Sequence, residues 1–216
     1  MGTSLSQFNL FLFDMDGTLV EFKLDFQYLK NEAARLLEEK GINFEIKRSL
    51  SEAIRDSKYY FVNEEDYIIF VNIMEDLTSK HEIETANKAE AFPHSKELLK
   101  YLKSKGKNIG IITRNCRAAT IKTLEVSDLI DYIDIIVTRE DVVNSKPHPE
   151  HVEVAMKLLD KSSAETVVIG DHEYDIASGK SAGCFTIGIL SGVSSEETLK
   201  TANIVISSLE DIISFL

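Results

Sequence analysis

The chain has 216 residues and a formal net charge of −12, with 44% of its residues hydrophobic and 28% charged. That profile is that of a soluble globular protein, long enough for one α/β domain with a sizeable insertion or for two small domains, rather than a disordered or fibrous chain. So negative a charge argues against a nucleic-acid partner, because phosphate backbones need a basic face, yet it leaves room for a small anionic substrate where a local cation reverses the field.

Two cysteines, Cys116 and Cys184, match no metal-ligand spacing. They read as small packing residues, and a reducing cytoplasmic setting is the default expectation. No apolar run approaches the roughly 18 residues of a membrane span, and no signal-peptide pattern is read at the N-terminus. MGTSLS at positions 1–6 fits the loose pattern for N-myristoylation, which is short and common; it reads as a polar stub.

In chain order, a first strand is expected over 8–13, an unbroken apolar run apart from Asn9. Phe26, Leu29, Ala33, Leu36 and Leu37 recur at helical spacing within 25–40, and Gly41 suits the stop. Further helices are expected over 46–58 and 64–81, so 19–89 reads as an all-helical block. Pro93 then opens a helix through Leu98, Leu99 and Leu102 that Gly106 closes. Strands follow at 108–112, 133–137, 167–169, 184–189 and near 204, and helices at about 117–124, 149–159, 176–182 and from 209. Strands that alternate with helices and are apolar on both faces predict an α/β fold with a doubly wound parallel sheet. The helical block interrupts this alternation after the first strand and reads as an inserted cap: core 1–18 and 90–216, cap 19–89.

Ligands of an open parallel sheet bind at the carboxyl ends of its strands. After the first strand comes Asp14-Met15-Asp16-Gly17-Thr18; after the second, Thr113-Arg114-Asn115; beyond the third, Asn144-Ser145-Lys146-Pro147-His148; after the fourth, Gly170-Asp171-His172-Glu173-Tyr174-Asp175. Crowded acids raise one another's pKa unless a cation sits among them, and oxygen ligands without a His/Cys cluster point to Mg²⁺. A cation beside a lysine and a threonine hydroxyl suits a phosphoryl group. An Asp carboxylate can attack phosphorus, and a second Asp two residues on can protonate the leaving oxygen and then deprotonate water.

DMDGT at 14–18, Thr113 after an apolar strand, Lys146 in KPHP and GDHEYD at 170–175 resemble, in order, the four motifs of the haloacid dehalogenase superfamily. The resemblance covers nearly the whole chain. It is nearest to the branch with a helical cap between the first two motifs, typified by phosphoglycolate phosphatase and β-phosphoglucomutase. It implies a Rossmann-like core and a Mg²⁺-dependent phosphatase acting on a small phosphorylated metabolite, with a cap that closes over the substrate. Asp14 would be the nucleophile and a Mg²⁺ ligand. Asp16 would be the general acid/base and ligate the metal through its backbone carbonyl. Thr113 and backbone amides around Arg114 would hold phosphate oxygens, with Gly17 and Asn115 in the same phosphate-binding group. Lys146 would bridge nucleophile and phosphate. Asp171 would ligate Mg²⁺; Asp175 would do so directly, through water, or by ordering the loop.

Other readings stay open beside this one. A phosphomutase uses the same residues and hands the phosphoryl group to a hydroxyl. A catalytically silent phosphometabolite-binding module would be free to lose Asp14, Asp16 or Lys146, and all three are present. A dehalogenase would leave Asp16 and the paired acids of the fourth motif without purpose. Arg114 either reaches the substrate or lies on the surface. His172 reads as a solvated loop histidine, and Tyr59-Tyr60 as a core aromatic pair. No membrane partner is expected, and the pattern fits a monomer or a homodimer.

Overall fold

The computed structural model describes residues 4–21, 24–47, 49–192 and 194–216. The first three residues of the MGTSLS stretch, and Arg48 of the helix expected over 46–58, lie outside the described residues. Contacts divide the chain into two compact units, Met1–Phe22 with Ala86–Leu216, and Lys23–Thr85.

The first unit is built on six parallel strands: β1 (Leu10–Phe13), β2 (Asn108–Ile112), β3 (Ile135–Val137), β4 (Thr166–Gly170), β5 (Phe185–Ile189) and β6 (Ile204–Ile206). Their order is β3-β2-β1-β4-β5-β6. The chain winds outward from β1 to β3, then returns to lay β4 on the other side of β1. The crevice between the β1 and β4 ends is therefore the topological switch point, where such sheets bind ligands. Period-two alternation explains why β1 is apolar throughout. Phe11 and Phe13 enter one hydrophobic cluster with Ile109, Ile111, Val167 and Ile169. Leu10 and Leu12 enter the other with Ile112 and Val168.

Helices cover both faces. Leu98, Leu99 and Leu102 of α4 (Ser95–Ser104), Leu124 of α5 (Arg117–Val126) and Leu209 and Ile212 of α9 (Leu209–Phe215) complete the first cluster. Val152 and Ala155 of α6 (Glu150–Leu158) complete the second, and α7 (Glu173–Ser181) packs against β4 and β5. A short helix, α8 (Glu196–Leu199), was not foreseen.

The second unit is helical: α1 (Phe26–Glu39), α2 (Leu50–Ser57) and α3 (Glu64–Ala86) pack Leu29, Ala33, Leu37, Leu50, Phe70 and Met74 into their own core. No strand occurs there among the described residues. The expected cut fell at 18/19 and 89/90; the contacts put it four residues further in at each end, at 22/23 and 85/86. The reason is local. Leu19 and Val20 are buried in the first sheet cluster, Val20 bridges Ala91, and the Glu21 amide donates to the Glu90 carbonyl at 2.9 Å.

Several element ends differ from expectation. β1 begins at Leu10 because Leu5–Gln7 form a 3-10 turn capped by Phe8. β3 begins at Ile135 for the same reason, after a turn over Ile130–Tyr132. α2 starts at Leu50, not 46, because Ser49 and Glu52 close a capping box. α4 opens at Ser95, since His94 takes the cap in the left-handed region, φ 68°. Tyr59 and Tyr60, expected in the core, are exposed at 88% and 55%. Among the described residues, no helix is long and apolar enough to cross a membrane.

Candidate active site

Asp14 is the first residue beyond β1, and its backbone amide donates to the Ile169 carbonyl of β4 at 2.8 Å. Its carboxylate therefore projects at the switch point. Lys146 arrives from the loop after β3 with 4% of its surface exposed. Its ammonium donates to Asp14 Oδ1 at 2.6 Å, Asp175 Oδ1 at 2.5 Å and the Ile112 carbonyl at 2.9 Å. An ammonium has three protons, so all three are engaged.

Asp171 follows β4 directly, and Asp175 is the third residue of α7. One carboxylate oxygen from each of Asp14, Asp171 and Asp175 lies within 4.8 Å of the others. The backbone comes unusually close to Asp171. A Cβ on Gly17, which sits at φ +81°, would stand 2.5 Å from Asp171 Oδ2, and one on Gly192 would stand 1.8 Å from it. Glycine is what lets both loops reach the acid. The Thr18 hydroxyl donates to Asp171 Oδ1 at 3.4 Å, and the Ser191 hydroxyl ties the two loops by donating to the Gly17 carbonyl at 2.6 Å.

Burial pushes the Asp14 carboxyl well above the usual carboxylate range; Lys146 pulls against this, and the Asp175 and Asp171 charges push the same way as burial. Burial alone would lower the Lys146 ammonium, but Asp14 and Asp175 outweigh it and raise its pKa, so it stays charged. Asp14 and Asp175 thus share one fixed cation, with Asp171 beside them. An all-oxygen donor set with surplus negative charge fits a hard divalent ion such as Mg²⁺. Within the trio, Asp175 is held at both oxygens: Oδ1 accepts a hydrogen bond from the Lys146 ammonium, and Oδ2 accepts the His172 amide at 3.1 Å.

Thr113 closes the opposite side. It is buried at the end of β2, and its Oγ1 accepts the Asn115 amide at 3.2 Å. The Asn115 side-chain amide donates to Asp16 Oδ2 at 2.5 Å. The Asp16 carboxylate thus meets Asn115 and is not part of the three-acid cluster. The Arg114 guanidinium lies 5.5 Å above the Tyr174 ring, and its carbonyl accepts Arg139 Nη1 at 2.9 Å. His172 is half-buried rather than solvated; it caps α7, Nδ1 accepting the Tyr174 amide at 3.2 Å.

Sequence reasoning missed four residues. Thr18 lies inside the DMDGT motif, and Ser191 and Gly192 follow β5, whose end carries no acid or lysine to mark it. His151, fully buried on α6, has its Nε2 3.0 Å from the Thr113 carbonyl oxygen. Burial lowers its pKa to about 4, helped by the nearby Lys146 charge, so the ring is neutral. No spacing rule marked it.

The sequence profile of haloacid dehalogenase-like hydrolases matches residues 11–189. The chain belongs to that family. Pyrophosphatase PpaX of Bacillus pumilus is 38% identical over 48% of this chain and 48% of its own length. The chain thus aligns with about half the length of such curated relatives, whereas PpaX of Oceanobacillus iheyensis aligns over 95% of both chains at 28% identity. Among solved structures, a hydrolase from Pseudomonas syringae superposes with a TM-score of 0.72 over 95% of this chain and 96% of its own, at 24% identity, which is a likeness of fold.

Proposed function

We propose that this family member is a Mg²⁺-dependent phosphatase that hydrolyses a small phosphorylated metabolite through an aspartyl-phosphate on Asp14. The observation that carries this reading is the Lys146 ammonium held between Asp14 and Asp175, within an oxygen cluster that Asp171 completes.

Asp14, Asp171 and the Asp16 carbonyl would hold the metal, which when bound supplies charge neutralisation for nucleophile and phosphoryl oxygens. An Asp14 oxygen attacks phosphorus while the bond from phosphorus to the leaving oxygen breaks, and Asp16 gives that oxygen its proton. Asp16 then takes a proton from water; the water oxygen attacks phosphorus, inorganic phosphate leaves, and Asp14 is regenerated. The Asn115 amide at 2.5 Å orients the Asp16 carboxyl for both transfers. The Thr113 hydroxyl and the Arg114 amide hold the phosphoryl oxygens, with bonds that strengthen as charge builds, and the Lys146 ammonium offsets phosphoryl charge while its protons stay on Asp14, Asp175 and the Ile112 carbonyl; the Gly17 amide, expected in the same group, donates instead to the Val20 carbonyl at 2.9 Å. The two PpaX relatives carry the name pyrophosphatase, so inorganic pyrophosphate heads the substrate candidates beside metabolite monoesters.

The test is phosphate release from a generic aryl phosphate and from pyrophosphate, with Mg²⁺ and with chelator. Release that needs Mg²⁺ and disappears in Asp14→Asn is expected. Metal-independent release, or an Asp14→Asn chain as active as wild type, would sink the reading.

A further inference from the structure

The sheet unit buries a histidine that the mechanism above does not use. His151 is 0% exposed, and its Nε2 stands 3.0 Å from the Thr113 carbonyl oxygen. A carbonyl oxygen only accepts, so Nε2 must carry the proton and Nδ1 is left a bare lone pair. That Nδ1 is buried without any hydrogen-bond partner. An orphaned polar atom is a burden that an apolar side chain on α6 would avoid. What the chain gains in return is a donor under one specific peptide.

We propose that His151 is a positioning residue for the phosphate-binding loop, its Nε2–H fixing the Thr113–Arg114 peptide; this rests on the phosphatase reading given above. A trans peptide is planar, with its C=O and N–H pointing in opposite directions. Anchoring the Thr113 carbonyl on the α6 side therefore aims the Arg114 N–H the other way. The same peptide follows the Thr113 Oγ1 that Asn115 engages at 3.2 Å, and Asn115 in turn holds Asp16 at 2.5 Å. One buried donor thus sets the phosphate-facing amide, the threonine hydroxyl and the orientation of the proposed acid/base. A hydrogen bond on the carbonyl also polarises the peptide and strengthens its N–H as a donor. His151 touches no substrate and moves no proton in this scheme.

The test compares wild type with His151→Leu, which keeps the volume and loses the donor, and His151→Gln, whose amide nitrogen replaces Nε2. The readouts are kcat and KM on the aryl phosphate, calorimetric binding of inorganic phosphate under Mg²⁺, and the ¹⁵N imidazole spectrum of wild type. His151→Leu is expected to lower kcat/KM and phosphate affinity roughly tenfold, and His151→Gln to restore both to within about threefold. The wild-type spectrum should show the neutral Nε2–H tautomer at pH 7. Unchanged kcat/KM and phosphate affinity in His151→Leu, equal losses in the two variants, or a charged or Nδ1–H ring would each overturn the proposal. Should His151→Leu fail to fold, His151→Gln against wild type and the imidazole spectrum still decide. A wild-type chain that releases no phosphate refutes the phosphatase reading instead, and the spectrum and the phosphate titration still judge His151.

Discussion

At the scale of single residues, the site is a problem of packing charge closely without letting it repel. Gly192 shows how tight the solution is. A methyl group there would overlap Asp171 Oδ2, at 1.8 Å, and the acid must swing away. Gly192→Ala is therefore expected to raise the Mg²⁺ concentration for half-maximal activity at least roughly tenfold while the melting temperature moves little. A Mg²⁺ titration identical to wild type would contradict the close approach. Lys146 poses the opposite case. Its removal leaves Asp14 and Asp175 facing each other, both buried or nearly so, with no cation between them. Lys146→Met should abolish turnover and destabilise the chain by about 3 kcal/mol in urea unfolding with chelator present. An unchanged urea midpoint would mean the ammonium contributes nothing net.

At the scale of elements, Asp175 is more than a candidate ligand. It accepts the His172 amide as the third residue of α7, so it caps the helix as well as holding Lys146. Asp171 precedes the helix, being the first residue after β4. Asp175→Ala should therefore cost about 3 kcal/mol of stability even with chelator, from a lost cap and a lost buried ion pair. Asp171→Ala should cost less stability than Asp175→Ala and remove the Mg²⁺ response. Paired thermal melts decide; equal losses would deny the division of labour. The same residue shows what was legible beforehand. GDHEYD announced two acids at a strand end, because acids after an apolar run stand out. Whether Asp175 was a ligand or a cap depended on where α7 began, and the expected start at 176 was three residues late. The apolar strands and the α1 stripe could be read because their periodicity is local. α3 could be placed, but its expected end at 81 falls five residues short, since no Gly or Pro marks the stop before Ala86. His151, Ser191 and Gly192 were illegible for another reason: their partners Thr113, Gly17 and Asp171 are far away in sequence, and only the sheet order joins them.

At the scale of the whole molecule, the buried imidazole gives stability a pH signature. A histidine held at about 4 in the fold and near 6.5 when unfolded binds its proton first in the unfolded chain. Its contribution is thus complete above pH 6.5 and is lost as the pH falls from there toward 4, at most about 3 kcal/mol in all. Taking the difference in stability between wild type and His151→Gln removes the other titrating groups. That difference should shrink from pH 7 to pH 4, and a flat difference would contradict the neutral buried ring.

The two-unit organisation yields the last prediction. Each hydrophobic cluster draws its residues from one unit alone: two clusters from the sheet unit, one from the helical unit. A unit whose apolar surface is covered by its own residues has the means to fold alone. The sheet unit also brings together the two chain ends that flank the helical segment. Val20 bridges Asp16 and Ala91, and the Phe92 amide donates to the Leu19 carbonyl at 2.9 Å. Because Glu21 and Glu90 are hydrogen-bonded neighbours, a short flexible linker can replace residues 24–85 without straining either strand of the junction. The shortened chain should be monomeric, show α/β circular dichroism and unfold in one cooperative thermal transition. A molten, non-cooperative chain would mean that the sheet unit depends on the helical one for its fold, and that the contact division does not correspond to folding units.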